Sequence, residues 1–195
     1  MLWPLALCWA GAAAAFDLPA LHRVTGVAAD DGLNIRSAPV ASADVLGTLP
    51  PDSTGIEVTE RSANGRWGRI NVDEGSGWVA LRFLERTGGL TDPVRATCFG
   101  MEPFWSLALD GTATFTPAAG APFAFDLRPQ IGSANRTDRL ALLGSGPFGD
   151  LTATLSAGSC SDGMSDRHYA LRIDAVLDFQ TGGPRLISGC CTLSP

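Results

Sequence analysis

The chain is a succession of short runs in which apolar and polar positions alternate, interrupted at close intervals by turn-forming residues. Between residues 19 and 86 such runs fall at 22–28, 33–36, 45–49, 55–60, 67–72 and 77–80. Asp31-Gly32, Ala38-Pro39, Pro50-Pro51-Asp52, Asn64-Gly65 and Glu74-Gly75 separate them. A period of two buries one face of each strand, and Gly, Asn, Asp and Pro at the breaks supply the backbone angles of tight turns. Six short strands predict one small barrel. Residues 87–93 carry two glycines and a proline with no apolar periodicity, which predicts a linker. Beyond it, from 94 to 195, runs recur at 106–109, 112–115, 123–127, 140–143, 151–155, 169–179 and 185–188. The longest sets Tyr169, Leu171, Ile173, Ala175, Leu177 and Phe179 against Arg172, Asp174 and Asp178. No run has the helical period needed to cover a sheet, so these strands must close on one another as a second small β-barrel or sandwich. The fold class expected is all-β, in two modules.

Composition agrees with a folded chain, because 45% of residues are hydrophobic and only 17% charged. The net charge of -6 and the scatter of all fourteen basic residues, every one arginine, leave no basic patch. Charges further apart than a Debye length of about 8 Å do not add up to a phosphate-binding surface, so nucleic acid and anionic lipid are excluded as partners. Residues 1–15, MLWPLALCWAGAAAA, form an apolar run ending in small side chains at Ala13 and Ala15, which predicts a signal peptide cleaved before Phe16. The run is shorter than the roughly 20 residues a bilayer span needs. A periplasmic or secreted protein that does not span the membrane is therefore expected.

Four cysteines then remain, Cys98, Cys160, Cys190 and Cys191, an even set suited to an oxidising compartment. Of the three pairings, one joins adjacent Cys190 and Cys191 and strains the peptide between them. Cys160 with Cys190 and Cys98 with Cys191 is the preferred alternative, with the crossed pairing left open. A four-thiolate zinc site is disfavoured because neighbouring cysteines do not readily supply two tetrahedral corners. No metal or other cofactor is expected.

Chemistry is concentrated between Cys160 and Tyr169, which reads CSDGMSDRHY. Asp162, Asp166 and His168, with Glu102 from elsewhere, are the candidates for acid/base work, which would require environments that drive two carboxyl pKa values apart. The spacing lacks the further oxygen ligands of a calcium loop. A plainer reading makes Asp162-Gly163 a capped turn, pairs Asp166 with an arginine and Glu102 with Arg167, and uses Trp105 to plug a barrel end. Between these lies a third: Glu102, Trp105, Asp162, Asp166 and Arg167 line a small-ligand or peptide pocket. His22 and His168 read as solvated residues.

Leu33, Asn34, Ile35, Arg36 and Pro39, then Val45-Leu46-Gly47, Trp67 and Gly77-Trp78-Val79, together resemble the bacterial SH3 domain, over about a third of the chain. Pro50-Pro51 departs from that pattern. The resemblance implies an SH3-like barrel acting as a binding accessory for cell-wall (peptidoglycan) peptide or an envelope protein, with Asn34, Arg36, Trp67 and Trp78 as contact candidates. Against this, tryptophans in barrel strands more often belong to the core, Asn34 can bond its own turn, and Arg36 can be a solvated outward residue. In the second half, Cys98, Gly100, Glu102 to Trp105, Cys160, Asp162 to Arg167, Tyr169, Gly189 and Cys190 resemble a family of bacterial envelope proteins and lipoproteins that implies no particular activity. Cys191 departs from it. The function expected is that of an exported, non-catalytic binding or envelope-maintenance protein. The alternative is a periplasmic hydrolase with its site at the Asp162/Asp166 corner.

Overall fold

The structure, a computed structural model, describes residues 18–90 and 94–195. The expected signal peptide lies outside the described residues. The first module contains β1 (Ala20–Val24), β2 (Leu33–Arg36), β3 (Val45–Leu49), β4 (Ile56–Val58), β5 (Glu60–Arg61), β6 (Trp67–Val72), β7 (Gly75–Ala80) and β8 (Leu84–Gly89), with one 3-10 turn at Leu81–Phe83. One sheet runs β4-β1-β8 and the other β3-β2-β7-β6-β5. Their inward positions, Val24, Leu33, Ile35, Ile56, Val58, Ile70 and Val79, form one buried cluster. Gly77 lets the facing strands approach, since a Cβ there would meet the Ile35 side chain at 2.5 Å.

Two expectations need correction here. Thr87, Gly88 and Gly89, expected in the linker, belong to β8: Gly88 and Gly89 pair with Leu21 and Ala20 of β1. Glycine pairs break side-chain periodicity but leave backbone N–H and C=O free to join a ladder. His22 is buried, not solvated, with Nδ1 at 3.0 Å from the Ala20 carbonyl. Burial, joined by Arg86 and opposed by backbone hydrogen bonds, holds its pKa below the ordinary imidazole value.

The second module contains β9 (Ala96–Met101), β10 (Phe104–Asp110), β11 (Thr112–Pro117), β12 (Phe123–Leu127), β13 (Ile131–Gly132), β14 (Arg139–Gly146), β15 (Gly149–Cys160), β16 (Tyr169–Phe179) and β17 (Gly183–Leu193). Eight of these form an antiparallel up-and-down barrel. Consecutive strands pair throughout, β17 returns to β9, and β12 joins β14 across the two-residue β13. Eight strands leave an interior just wide enough for side chains to fill. Leu107, Leu109, Phe125, Leu142, Leu151, Leu155, Leu171, Ile173 and Leu177 fill it, each under 2% exposed. Closure leaves no free edge, the alternative to covering a sheet with helices.

Two disulfides staple the closing seam. Cys98–Cys191 joins residues directly paired between β9 and β17. Cys160–Cys190 ties the end of β15 to β17 across β16. Among the described residues no helix is long and apolar enough to cross a membrane.

Leu21 of β1 and Leu90 belong to the same buried cluster as the barrel interior. The two modules are therefore packed together at the barrel end where β15 gives way to β16.

Candidate functional site

The first module carries a cleft of about 250 Å³ between the β1–β2 loop, β2 and the start of β6. Asn34, Arg36 and Trp67 line it together with Asp31, Arg82 and Phe83. Alternation on β2 produces this placement: Leu33 and Ile35 turn into the core, so Asn34 and Arg36 face outward. Arg36 is held by donating from Nη1 to the Ala43 carbonyl at 2.8 Å, which fixes its guanidinium while leaving the remaining donors available. Arg82 lies over the Phe83 ring at 4.5 Å. The cleft therefore offers a half-buried indole, a fixed guanidinium and an amide. These groups can stack on, and hydrogen-bond to, a short extended peptide.

Trp78 is placed elsewhere. Its backbone pairs with Arg36, but its ring faces Arg69, 6.0 Å away, outside the cleft lining. Both tryptophans are half-buried and neither joins the core cluster, so the expectation that they pack inside is corrected. The small core is filled by β-branched and leucine side chains, and an indole fits only at its margin.

The CSDGMSDRHY segment does different work. Asp162 caps its turn, accepting from the Met164 and Ser165 N–H groups at 3.0 and 2.9 Å and from the Ser165 hydroxyl at 2.8 Å. Gly163 supplies the left-handed φ of 71°. Burial pushes the Asp162 carboxyl upward, but these bonds and the Tyr169 hydroxyl outweigh it and hold the pKa below the usual value. That is opposite to what a general acid requires.

Beyond the turn, the segment docks on the first module. Asn71 brackets His168, donating from Nδ2 to its carbonyl at 3.2 Å and accepting its N–H at 2.9 Å. His168 Nδ1 lies 3.1 Å from the Thr59 hydroxyl. Asp166 donates its backbone N–H to the Glu74 carbonyl, and its side chain is exposed, forming no ion pair among the described residues. Arg167 donates to the Asp73 carbonyl and reaches Glu74 at 3.4 Å. The expected pairing of Arg167 with Glu102 is thereby corrected. Glu102 sits at the opposite end of the barrel in the turn between β9 and β10, exposed. At the C-terminus, Glu57 accepts from the Thr192 hydroxyl at 2.6 Å and the Leu193 N–H at 2.9 Å. Desolvation, opposed by those two bonds, raises its pKa.

Trp105 is buried inside the barrel, stacked on Phe115 at 6.0 Å. Gly100 makes room for it, since a Cβ there would collide with the indole at 2.2 Å, and at Gly189 a Cβ would meet the Phe99 carbonyl at 2.1 Å and crowd the indole at 3.0 Å. It is a core plug and does not line a pocket with Asp162 or Arg167. The five candidates of the second module are thus dispersed: Asp162 in a turn, Asp166 and Arg167 at the module interface, Glu102 and Trp105 toward the far end. Sequence reasoning missed Asn71, Glu57 and Thr59. Only Asn71 carried a signal, as an amide interrupting the run Ile70 to Val72. Among the described residues no three His, Cys, Asp or Glu side chains gather as a metal site.

No curated protein and no solved structure matches the chain. The family model for the bacterial SH3 domain matches residues 31–85, which span β2 to β7 and include Asn34, Arg36 and Trp67 of the cleft, so a bacterial SH3 domain is found at residues 31–85 within the N-terminal module.

Proposed function

We propose that this protein is a non-catalytic binding protein acting outside the cytoplasm, and that its SH3 domain captures a short cell-wall peptide in the Asn34/Arg36/Trp67 cleft. The observation that carries the reading is the convergence of those three side chains in one cleft of the matched domain. The two disulfides suit an oxidising compartment. A segment of an envelope protein is the second class of partner such a domain accommodates.

The hydrolase alternative finds less support. Asp162 lines a cavity of about 460 Å³ but is held by the hydrogen bonds of its own turn, Arg167 lines the seam cavity with its guanidinium tied to the first module, and the Asp166 side chain is exposed, so the three do not converge on one pocket. Retention on purified peptidoglycan tests the proposal. The unaltered protein should sediment with it, Trp67→Ala and Arg36→Gln should not, and Trp78→Ala should behave as the unaltered protein. Equal retention of all four would remove the cleft from the account.

A further inference from the structure

The barrel end farthest from the SH3 domain has a chemistry that the proposed function does not use. The turns 118–122, 147–148 and 180–182 surround a cavity of about 450 Å³ lined by Pro122, Phe123, Phe148, Phe179, Gln180 and Thr181. Phe123 is its hub, 5.4 Å from Phe179, 6.2 Å from Phe148 and 5.8 Å from Phe125. Phe148 is 60% exposed, an expensive position for a benzyl group in water. The Gln180 N–H donates to the Phe148 carbonyl, tying two of the rim turns together, so the cavity is held open by backbone as well as by rings.

One cation, outside the cavity lining, touches a wall residue of this aromatic bowl: Arg185 lies against Phe179. Arg185 is paired in register with Leu177, a buried interior residue. Directly paired residues share a face of the sheet, so Arg185 occupies an inward-facing register position, one step before Gly183, which pairs with Phe179 at the mouth. Its side chain is exposed, and the guanidinium lies over the Phe179 ring at 5.9 Å. Among the described residues it has no carboxylate partner.

We infer that this mouth binds a single-chain amphiphile with a carboxylate head, the chain lying among Phe123, Phe148 and Phe179 and the carboxylate meeting Arg185. The charge argues for this occupant over a neutral or cationic one. Apolar walls alone would take any chain, but a desolvated carboxylate needs a cation and hydrogen-bond donors, which Arg185 and the rim residues Gln180 and Thr181 supply. The packed interior below stops the chain from passing deeper, so affinity must come from the bowl itself. This site is separate from the SH3 cleft, and its success or failure leaves the cell-wall proposal untouched.

Calorimetric titration of the oxidised full chain with octanoate, decanoate and dodecanoate, each below its micelle concentration, tests it. Affinity should tighten roughly fourfold per added methylene while the bowl fills. Arg185→Gln should weaken dodecanoate about tenfold and leave dodecanol unchanged, the effect of one charge-assisted contact. Phe148→Ala, exposed enough to be harmless to folding, should weaken both. Three results in these titrations overturn the inference. These are no saturable binding, equal affinity for dodecyltrimethylammonium, or binding indifferent to both substitutions. Capture of an apolar peptide at this mouth without affinity for the fatty acids would overturn it equally.

Discussion

Asn71 is the point at which the docking of the two modules can be tested with one side chain. Its amide makes two bonds to the backbone of His168, one donated and one accepted, in the manner of a strand neighbour. Replacement by alanine removes both and leaves the His168 N–H and carbonyl facing a partly buried seam. Each hydrogen bond is worth about 1 kcal/mol net, and stranding its partner costs up to about 3 kcal/mol where water cannot enter. The seam is only part-buried, so some rehydration follows, and the expected loss is about 2–3 kcal/mol. Asn71→Asp keeps the acceptor but sets a carboxylate oxygen against the His168 carbonyl, so it should cost at least as much. Urea unfolding of the full oxidised chain reads the magnitude. Amide exchange across residues 160–169 reads the location, since those amides should lose protection while barrel amides such as Leu171 and Ile173 keep theirs. A change below about 0.5 kcal/mol, or an even loss of protection throughout the barrel, would refute the view of this segment as the latch.

Other predictions follow from individual groups. Cys160 is partly exposed and Cys98 and Cys191 are fully buried, so graded reduction should open Cys160–Cys190 first, detectable by differential alkylation. With a sequence separation of 30, its loss should cost about 3.6 kcal/mol on the loop-entropy scale. His168 is held below the ordinary imidazole value chiefly by burial, then by Arg69, against Glu60. The unfolded chain therefore takes up its proton at higher pH than the folded one. Stability is full above about pH 6.5 and declines as the pH falls below it, a slope that His168→Asn should partly flatten in thermal melts and His22 should sustain. Asp162, with its pKa lowered, acts the same way in a lower window. Its stabilisation is present above the ordinary carboxyl value and lost on acidification, and Asp162→Asn should cost about 1 kcal/mol in urea unfolding at neutral pH.

Strand positions were legible because burial here is one-sided. Runs such as Tyr169 to Phe179 record the barrel interior in every second residue, and their bounds are those of β16. Closure was not legible, because it depends on which distant strands meet, and β9 hides its alternation behind Gly100 and Cys98 while β8 ends in two glycines. The SH3 cleft was readable as a set of residues, though not as a geometry that separates Trp67 from Trp78. The seam between modules was the least visible part. Glu57 and Leu193, 136 residues apart, and Arg167 and Glu74, 93 apart, carry no local pattern, and a carboxylate read alone gives no indication of its partner. The density of CSDGMSDRHY suggested chemistry; it is the density of a turn that must both cap itself and grip a second domain.

The most direct test of the central claim is chemical-shift mapping on the 15N-labelled oxidised chain titrated with soluble peptidoglycan fragments bearing their stem peptides. The account predicts saturable shifts at the backbones of Asn34 and Arg36 and at the Trp67 indole, with Trp78 and the Asp162 turn unmoved. Shifts centred on the Asp162–Arg167 segment, or hydrolysis of the fragments during the titration, would contradict it.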